Sequence, residues 1–329
     1  MTRRATINDV AKAAAVGKVT VSYVLNGRGT ENGISTETAK RIQEAAKQLN
    51  YRPNTVARML AGNRSDSIAV VFQHAYYFST TSTFTNEAMR GVCEQCTELG
   101  LDLLLHTKPT QDPVAEANAL SDGRVDGVLM LRDAGDPTLT ELISRNFPVV
   151  LFFSRADSPD VSFVDCDNFT GGKIAANHLL SLGHRRMAMM VGPKNSVDSA
   201  DRYHGFRSAL EIEPATCSTM EELAELLSRP DRPTALFVWS DDVAFGCYQI
   251  VRDLGLRIPQ DLSIIGFDST PACDRFDPPL TSVRQPIAQM ARKATQILTA
   301  MVRGEDSAIQ QIVFPPHLDV RGSTSMLQS

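Results

Sequence analysis

A short segment near the N-terminus, KVTVSYVL (residues 18–25), carries side chains suited to the edges of DNA bases. Lys18 and Ser22 are four residues apart, as are Val19 and Tyr23, so each pair shares one face of a helix. Lysine donates hydrogen bonds, and the serine and tyrosine hydroxyls both donate and accept them. Three apolar residues of the segment are expected to face a core: Val21, Val24 and Leu25.

Two helices joined by a tight turn at residues 15–17 are predicted to position this face. Thr6 and Asp9 have the capping-box spacing, with an acid in place of the usual Glu or Gln. The first helix then has apolar residues at helical spacing: Ile7, Val10, Ala11 and Ala14. Such a pair can place the start of its second helix in a DNA major groove. An ordinary helical hairpin of an all-α domain has the same spacing.

The residues that follow favour the DNA-binding interpretation. Ser35 can cap a third helix over residues 36–49, whose inward positions would be Ala39, Ile42, Ala46 and Leu49. Pro53 would end that stretch, and Asn54 can cap a fourth helix, TVARMLAG (residues 55–62). Two turns of helix are marginal alone in water, so the fourth helix should need a partner in order to form.

From residue 67 onward, short apolar strands alternate with helices, which is typical of a doubly wound α/β body. The predicted strands are 68–72, 101–106, 127–131, 149–153, 187–191, 235–238 and 263–266. The predicted helices are 85–99, 170–182, 200–211, 220–227 and 242–254. Folds of this kind bind ligands at the carboxyl ends of their strands.

Several blocks of the chain resemble the lactose-repressor (LacI/GalR) family of bacterial transcriptional regulators. TINDVAKAAAVGKVTVSYVLNG, ISTETAKRI and LNYRPNTVARMLAG resemble the family's head-piece. RYHGFRSAL (202–210), IPQDLSIIGFDS (258–269) and LDVRGSTS (318–325) resemble its core. The similarity runs from about Thr6 to Ser325 in family order. It implies a helix-turn-helix head with a hinge helix, followed by a two-lobed core of parallel sheets like that of periplasmic binding proteins.

With the resemblance, three domains are predicted. Residues 1–51 would form the DNA-binding domain, 52–66 the hinge helix and linker, and 67–329 the effector-binding and dimerisation core. Within the core, lobe 1 would take about 67–165 and 286–317, and lobe 2 about 166–285 and 318–329. The chain is expected to cross between the lobes near residues 165–168, 280–285 and 317–320.

The resemblance also implies which residues contact operator DNA. Head residues would hold phosphates and read the major groove, while Leu60, with Ala57 nearby, would wedge into the minor groove at the operator centre. The full predicted set is Thr6, Lys18, Val19, Thr20, Ser22, Tyr23, Asn26, Asn54, Ala57 and Leu60. A near-palindromic operator and a homodimer follow, because one head reads too few base pairs for specificity.

A second set of residues lies at predicted strand ends in the core and suits a small polar ligand. Asp268 can accept hydroxyl hydrogen bonds, Arg202 offers a planar fork, and Ser240 and Asp241 follow a strand. Trp239, Phe153 and Phe78 are candidate walls for a sugar or base ring. By resemblance, Arg202, Ser240 and Asp268 match effector-contacting positions. The alternatives are an Arg202–Asp268 structural ion pair, a core position for Trp239, and an aromatic cluster at 76–84 that covers the lobe's edge.

Positive charge is concentrated at the N-terminal end of the chain, as expected for a domain that binds DNA phosphates. The whole protein has a formal net charge of −5. Residues 1–64 contain 11 Lys/Arg and 4 acids, and the remainder contains 22 and 34, so a head of +7 precedes a body of −12. A small basic domain on an acidic body indicates nucleic-acid binding at the basic end.

The chain departs from the family pattern at several positions. Tyr23 stands where most members carry an Arg, and Tyr cannot grip guanine with two parallel hydrogen bonds. Ala15 replaces the usual turn Gly, which costs on the order of 1 kcal/mol if the position needs a positive φ. Gly17 replaces a capping Ser, and the loop at residues 27–33 is longer than expected. Residues 210–233 look shortened, so a strand and loop that usually contact the effector would be missing or rebuilt.

Enzymatic patterns are weak in this sequence. Residues 27–33 (GRGTENG) resemble a phosphate loop only loosely, because no strand precedes them and the spacing is wrong. Cys93 and Cys96 lack a second Cys or His pair, so thiols are favoured over zinc, and no cofactor is expected. Without an apolar leader, the protein is expected in the cytoplasm with no membrane contact.

We therefore predict a non-enzymatic, sequence-specific repressor that is controlled by a small molecule bound between the lobes, with a sugar as the expected effector. A nucleobase corepressor is the alternative, and a sugar-binding receptor or an α/β enzyme without DNA binding is a weaker one.

Overall fold

A computed structural model of the chain describes residues 5–25, 27–51, 64–72, 82–107, 112–132, 135–156, 158–306 and 308–327. The chain divides into two compact units, Met1–Ser65 and Asp66–Ser329. The predicted hinge helix lies outside the described residues. Among the helices within them, none is both long and apolar enough to cross a bilayer.

The N-terminal unit is a three-helix head around a small apolar core. Its helices are α1 (Ile7–Ala13), α2 (Lys18–Leu25) and α3 (Thr36–Gln48). The buried side chains are Val10, Ala11, Ala14, Val21, Val24, Ile42, Ala45 and Ala46. Leu49, predicted to face inward, is instead 38% exposed, because the helix ends at Gln48 and Ala45 takes the inward position.

The connections of the head have defined geometry. The backbone amide of Thr6 donates to Asp9 Oδ2 over 2.8 Å, so the acid at the third helical position does complete the predicted cap. Ala15, in the turn between α1 and α2, has a φ of 49°, the left-handed region that favours glycine. After α2, Gly27 also has a positive φ, and the Arg28 amide donates to the Tyr23 carbonyl. This pattern of a helix end at a left-handed Gly is a Schellman motif.

The second unit is a doubly wound α/β body, as predicted, built from two six-stranded sheets. Its first-lobe elements are β1 (Ser67–Phe72), α4 (Thr83–Leu99), β2 (Asp102–His106), α5 (Pro113–Leu120), β3 (Gly127–Leu131), α6 (Pro137–Ser144), β4 (Val149–Phe152) and β5 (Ser162–Cys166). Then come α7 (Asn168–Ser181), β6 (Met187–Met190), α8 (Val197–Ser208), β7 (Ala215–Cys217), α9 (Met220–Leu227), β8 (Ala235–Val238), α10 (Asp241–Asp253), β9 (Ser263–Asp268) and β10 (Thr281–Arg284). The chain ends with α11 (Ile287–Arg303), β11 (Gln311–Phe314) and β12 (His317–Asp319).

Strand order assigns each element to a lobe. The first sheet has the order β11-β5-β4-β3-β1-β2 and its pairs are all parallel. The second has the order β12-β10-β9-β8-β6-β7, with β12 antiparallel to β10 and the other pairs parallel. Because parallel strands end at one edge, the loops after β3 and β4 lie on the same side of lobe 1, and those after β6, β8 and β9 on the same side of lobe 2.

The chain crosses between the two sheets three times, at residues 167, 285–286 and 315–316. The second crossing lies at the predicted lobe boundary, after the strand at residues 281–284, whereas the third precedes its predicted position, since residues 317–319 are a strand of the second sheet. Both crossings contain proline, which has no N–H to give to a strand ladder.

Residues 210–233 retain a strand. The edge strand β7 is only three residues long, and α9 follows it directly. The region predicted to be missing or rebuilt therefore contains a short strand and a short helix. Its buried residues include Cys217, Leu223 and Leu227.

Candidate DNA-contacting face and interlobe cavity

In the head, α2 turns one side to its core and the other side outward. Val21 and Val24 are buried, whereas Lys18 is exposed and the Val19 side chain is 59% exposed. Val19 does not pack in the core of the head. The outward face of α2 that carries it is therefore available to a binding partner.

The other predicted DNA-contacting residues are placed as follows. Thr20, Ser22 and Tyr23 of α2 are half-buried. Thr6 is exposed, and its hydroxyl donates to Asp9 Oδ2 over 2.7 Å. Asn26, Asn54, Ala57 and Leu60 lie outside the described residues.

In the second unit, a cavity of about 410 Å³ lies between the lobes. Lobe 1 contributes Ser82, Phe84, Leu131, Arg132, Phe153 and Ser154. Lobe 2 contributes residues 193–198, Arg202, Trp239, Ser240, Asp242, Val243, Asp268 and Gln285. The structure brings together Phe153, Arg202, Trp239, Ser240 and Asp268, while Phe78 is outside the described residues.

Aromatic side chains from both lobes line this cavity. Phe84, at the start of α4, meets Phe153 edge to face with ring centroids 4.8 Å apart. Trp239 follows β8 in the other lobe, and Gly192 lies against it. A Cβ atom on Gly192 would sit 2.6 Å from the indole ring, so only glycine leaves room for the observed ring position. Such faces suit the apolar side of a pyranose or a base.

Several contacts fix the side chain of Arg202. The structure describes both Arg202 and Asp268, and these two residues form no ion pair. Arg202 Nε donates to Asn168 Oδ1 over 2.8 Å, and its Nη1 donates to the Trp239 carbonyl over 2.6 Å. The guanidinium also lies 3.6 Å from the centroid of the Phe267 ring. These contacts hold the fork rigid at the cavity wall, so a ligand would meet a donor that has already lost its conformational freedom.

Asp268 is the last residue of β9 and only 3% exposed. Its Oδ1 accepts a 2.6 Å hydrogen bond from Gln285 Nε2. Burial raises its pKa well above the ordinary value, and the nearby Arg202 opposes that rise. Its φ of 117° is rare for a non-glycine residue, and backbone strain of this kind clusters at ligand sites.

The two acids that begin α10 have different environments. Asp241 turns into lobe 2, where it accepts hydrogen bonds from Ser282 Oγ and the Thr270 amide, and burial raises its pKa to about 6. It therefore supports the lobe rather than the cavity. Asp242, which the sequence did not single out, lines the cavity beside Ser240.

Other lining residues were also missed by sequence reasoning. Asp198 lies in the first turn of α8, and Gln285 is part of a segment that crosses between the lobes; both line the cavity. Arg132 follows β3 and is held by two hydrogen bonds to the buried Glu116 and one to Asp136. Its charge is thus balanced within lobe 1.

The cavity combines stacking faces with hydrogen-bonding groups on several sides, which is the composition of a small-molecule site. Within the described part of the chain, no group of three or more His, Cys, Asp or Glu side chains could hold a metal ion.

Comparison with known proteins agrees with this geometry. Residues 6–54 match the family model described as bacterial regulatory proteins, lacI family, and residues 176–324 match a periplasmic binding protein-like domain. The transcriptional regulator DegA of Bacillus subtilis is 34% identical over 99% of this chain and 100% of its own length. The transcriptional repressor PurR of Haemophilus influenzae is 32% identical over 98% of this chain and 99% of its own.

Two solved structures extend the comparison. A complex of the regulator CelR with cellobiose is 30% identical, has a TM-score of 0.71, and aligns over 97% of this chain and 100% of that one. A Lac repressor dimer bound to operator and the anti-inducer ONPF is 24% identical, has a TM-score of 0.85, and aligns over 98% and 100%. The similarity to the Lac repressor dimer supports the assignment of the fold alone.

Proposed function

Because the chain belongs to the lacI family of bacterial regulatory proteins, and is thus a DNA-binding transcriptional regulator with a small-molecule-binding core, we propose that it is a homodimeric repressor controlled by a saccharide. Residues 1–51 bind operator half-sites, residues 52–66 form the hinge, and residues 67–329 bind the saccharide and dimerise. It acts in the cytoplasm by binding alone and catalyses no reaction.

The observation that carries the effector assignment is the cavity between the lobes. A volume of about 410 Å³ suits a ligand larger than one flat base, which would leave most of the space empty. Arg202, Asp268 and Ser240 present hydrogen-bonding groups beside Trp239 and Phe153. A saccharide offers hydroxyls around its edge and apolar faces, and cellobiose occupies the related CelR.

On the DNA side, Lys18, Val19, Thr20, Ser22 and Tyr23 read the major groove from the outward side of α2. Thr6, Asn26 and Asn54 assist at the phosphate backbone and groove edge, while Leu60 and Ala57 enter the minor groove. Saccharide binding shifts the relative position of the lobes, and this changes whether two hinges can meet on one operator.

Two measurements test this proposal. Purified full-length protein should select near-palindromic genomic fragments and protect both half-sites in a footprint. A thermal-shift panel of mono- and disaccharides, including cellobiose, should raise the melting temperature, whereas nucleobases should not. A nucleobase is the second candidate, because the rings of Trp239 and Phe153 at the cavity could also stack on a base, and a shift caused by nucleobases alone would replace the saccharide assignment.

A further inference from the structure

One ion pair joins the two lobes beside the cavity. Arg155 lies in the loop after β4 of lobe 1, and its Nη2 contacts a carboxylate oxygen of Asp201 in α8 of lobe 2. The two side chains are 32% and 19% exposed, so the contact is partly shielded from solvent. Shielding strengthens an ion pair relative to one at the open surface.

Arg155 is also anchored on its own lobe. Its Nη1 lies 3.6 Å from Oδ2 of Asp165, the penultimate residue of β5. The other oxygen of Asp165 accepts hydrogen bonds from the Cys166 amide and Asn168 Nδ2. Burial lowers the pKa of Arg155, but the carboxylates of Asp201, Asp165 and Asp198 together raise it above its ordinary value, so the guanidinium stays charged. Arg155 therefore spans from a fixed point in lobe 1 to a helix of lobe 2.

The helix that Arg155 contacts, α8, is the one that carries Arg202 of the cavity wall. Asp201 directly precedes Arg202, and Asp198 lies one turn earlier on α8 and also lines the cavity. On the other side, Ser154 lines the cavity and directly precedes Arg155. Separating Arg155 from Asp201 would move both walls of the site apart.

A second contact ties the lobes on another side of the cavity. The backbone amide and hydroxyl of Thr83, at the start of α4, donate to Asp242 Oδ1 over 3.0 and 2.6 Å. Loss of the ion pair alone would thus leave the hydrogen bonds of Thr83 to lobe 2 in place and favour a partial opening rather than a loss of structure.

We infer that Arg155 and Asp201 form an interlobe clasp that favours the closed arrangement of the core and so sets how readily the cavity opens. Both residues act as positioning residues, because neither lines the cavity itself. The clasp acts on the opening of the core when neither ligand nor DNA is bound. A negative result for the clasp would therefore leave the proposed function untouched, and a negative result for the proposed function would leave the clasp untouched.

The single tryptophan of the protein provides a direct readout, because Trp239 lines the cavity. Acrylamide quenching of its fluorescence measures how accessible the cavity is in the full-length protein. In Arg155→Met and in Asp201→Asn, we expect the open-to-closed ratio to rise about fivefold and the quenching constant about twofold. Circular dichroism and melting curves would verify that each variant is folded.

Three further variants decide whether the clasp is the cause. Arg155→Met/Asp201→Asn should raise the quenching by less than the sum of the two single variants, because each single variant already removes the interlobe ion pair; Arg155→Met additionally removes the contact with Asp165 within lobe 1. Arg155→Lys keeps the charge and should restore much of the low quenching. Arg257→Met removes an exposed ion pair with Asp261 within lobe 2 and should quench like the wild type. Quenching in folded Arg155→Met and Asp201→Asn equal to that of Arg257→Met, or additive effects in the double variant, would overturn the clasp.

Discussion

Replacing Ala15 by glycine should stabilise the head. Ala15 has a φ of 49°, where a Cβ atom costs roughly 1–2 kcal/mol. Glycine removes that cost but loses about 0.5–1 kcal/mol more backbone entropy on folding. The net gain expected for Ala15→Gly is therefore about 0.5–1 kcal/mol, and the turn between α1 and α2 keeps its shape.

Native-state hydrogen exchange in the full-length protein measures this gain within the head. The amides of buried head residues such as Val21 and Ile42 exchange only when the whole head unfolds. They should exchange about two- to fivefold more slowly in Ala15→Gly than in the wild type. Amides of the core, such as that of Ile265, should be unaffected.

A matched substitution two residues earlier provides the control. Ala13 is the exposed last residue of α1, where glycine only weakens the helix. Ala13→Gly should therefore speed exchange of the same amides. Equal effects of the two substitutions, or faster exchange in Ala15→Gly, would refute the strain argument.

Three other perturbations follow from the structure. Gly192→Ala should displace the Trp239 ring, shift its emission and weaken saccharide binding at least tenfold, and unchanged emission together with wild-type affinity would show that the ring tolerates the Cβ. Burial lowers the pKa of His178 below 6.5, so the unfolded chain binds more protons just below that pH. Wild type should then lose stability relative to His178→Gln as the pH falls from 7.5 to 5.5, and parallel urea midpoints across this range would contradict the shift. Tyr23→Ala and Lys18→Ala should change the half-site preference in a selection experiment more than Arg64→Ala, and the reverse order would reject α2 as the reading helix.

Much of the fold was predictable because buried parallel strands are continuous apolar runs. The strands Gly127–Leu131 and Ala235–Val238 were predicted to the residue. β5 was missed because its sequence, SFVDC, contains a serine and an aspartate, although both are buried. Helices α5 and α6 were missed although an Asp-Pro pair starts each, a signal that a capping search would have found.

The residues of the site that could be predicted from the sequence are mainly those that follow a predicted strand. Trp239, Ser240 and Asp268 were singled out because ligands bind near strand ends, and Arg202, which lies within α8, because of the family resemblance; all four line one cavity. Sequence could not decide between Asp241 and Asp242, because adjacent residues at a helix start point in different directions. Nor could it reveal Asp198 or the Arg155–Asp201 pair, since these depend on how the two lobes face each other.

The central claim is that a small molecule in the interlobe cavity controls DNA binding by the head. The most direct test is a fluorescence-anisotropy titration of a selected operator with wild type and Asp268→Ala, each with and without a saccharide that raises the wild-type melting temperature. Loss of one hydrogen bond that leaves a buried polar partner unsatisfied costs roughly 1–3 kcal/mol, which is about a 5- to 150-fold loss in saccharide affinity. The saccharide should change the operator affinity of the wild type at least fivefold, and Asp268→Ala should bind the operator normally but no longer respond to the saccharide. An equal response of both proteins at the same saccharide concentrations would contradict it.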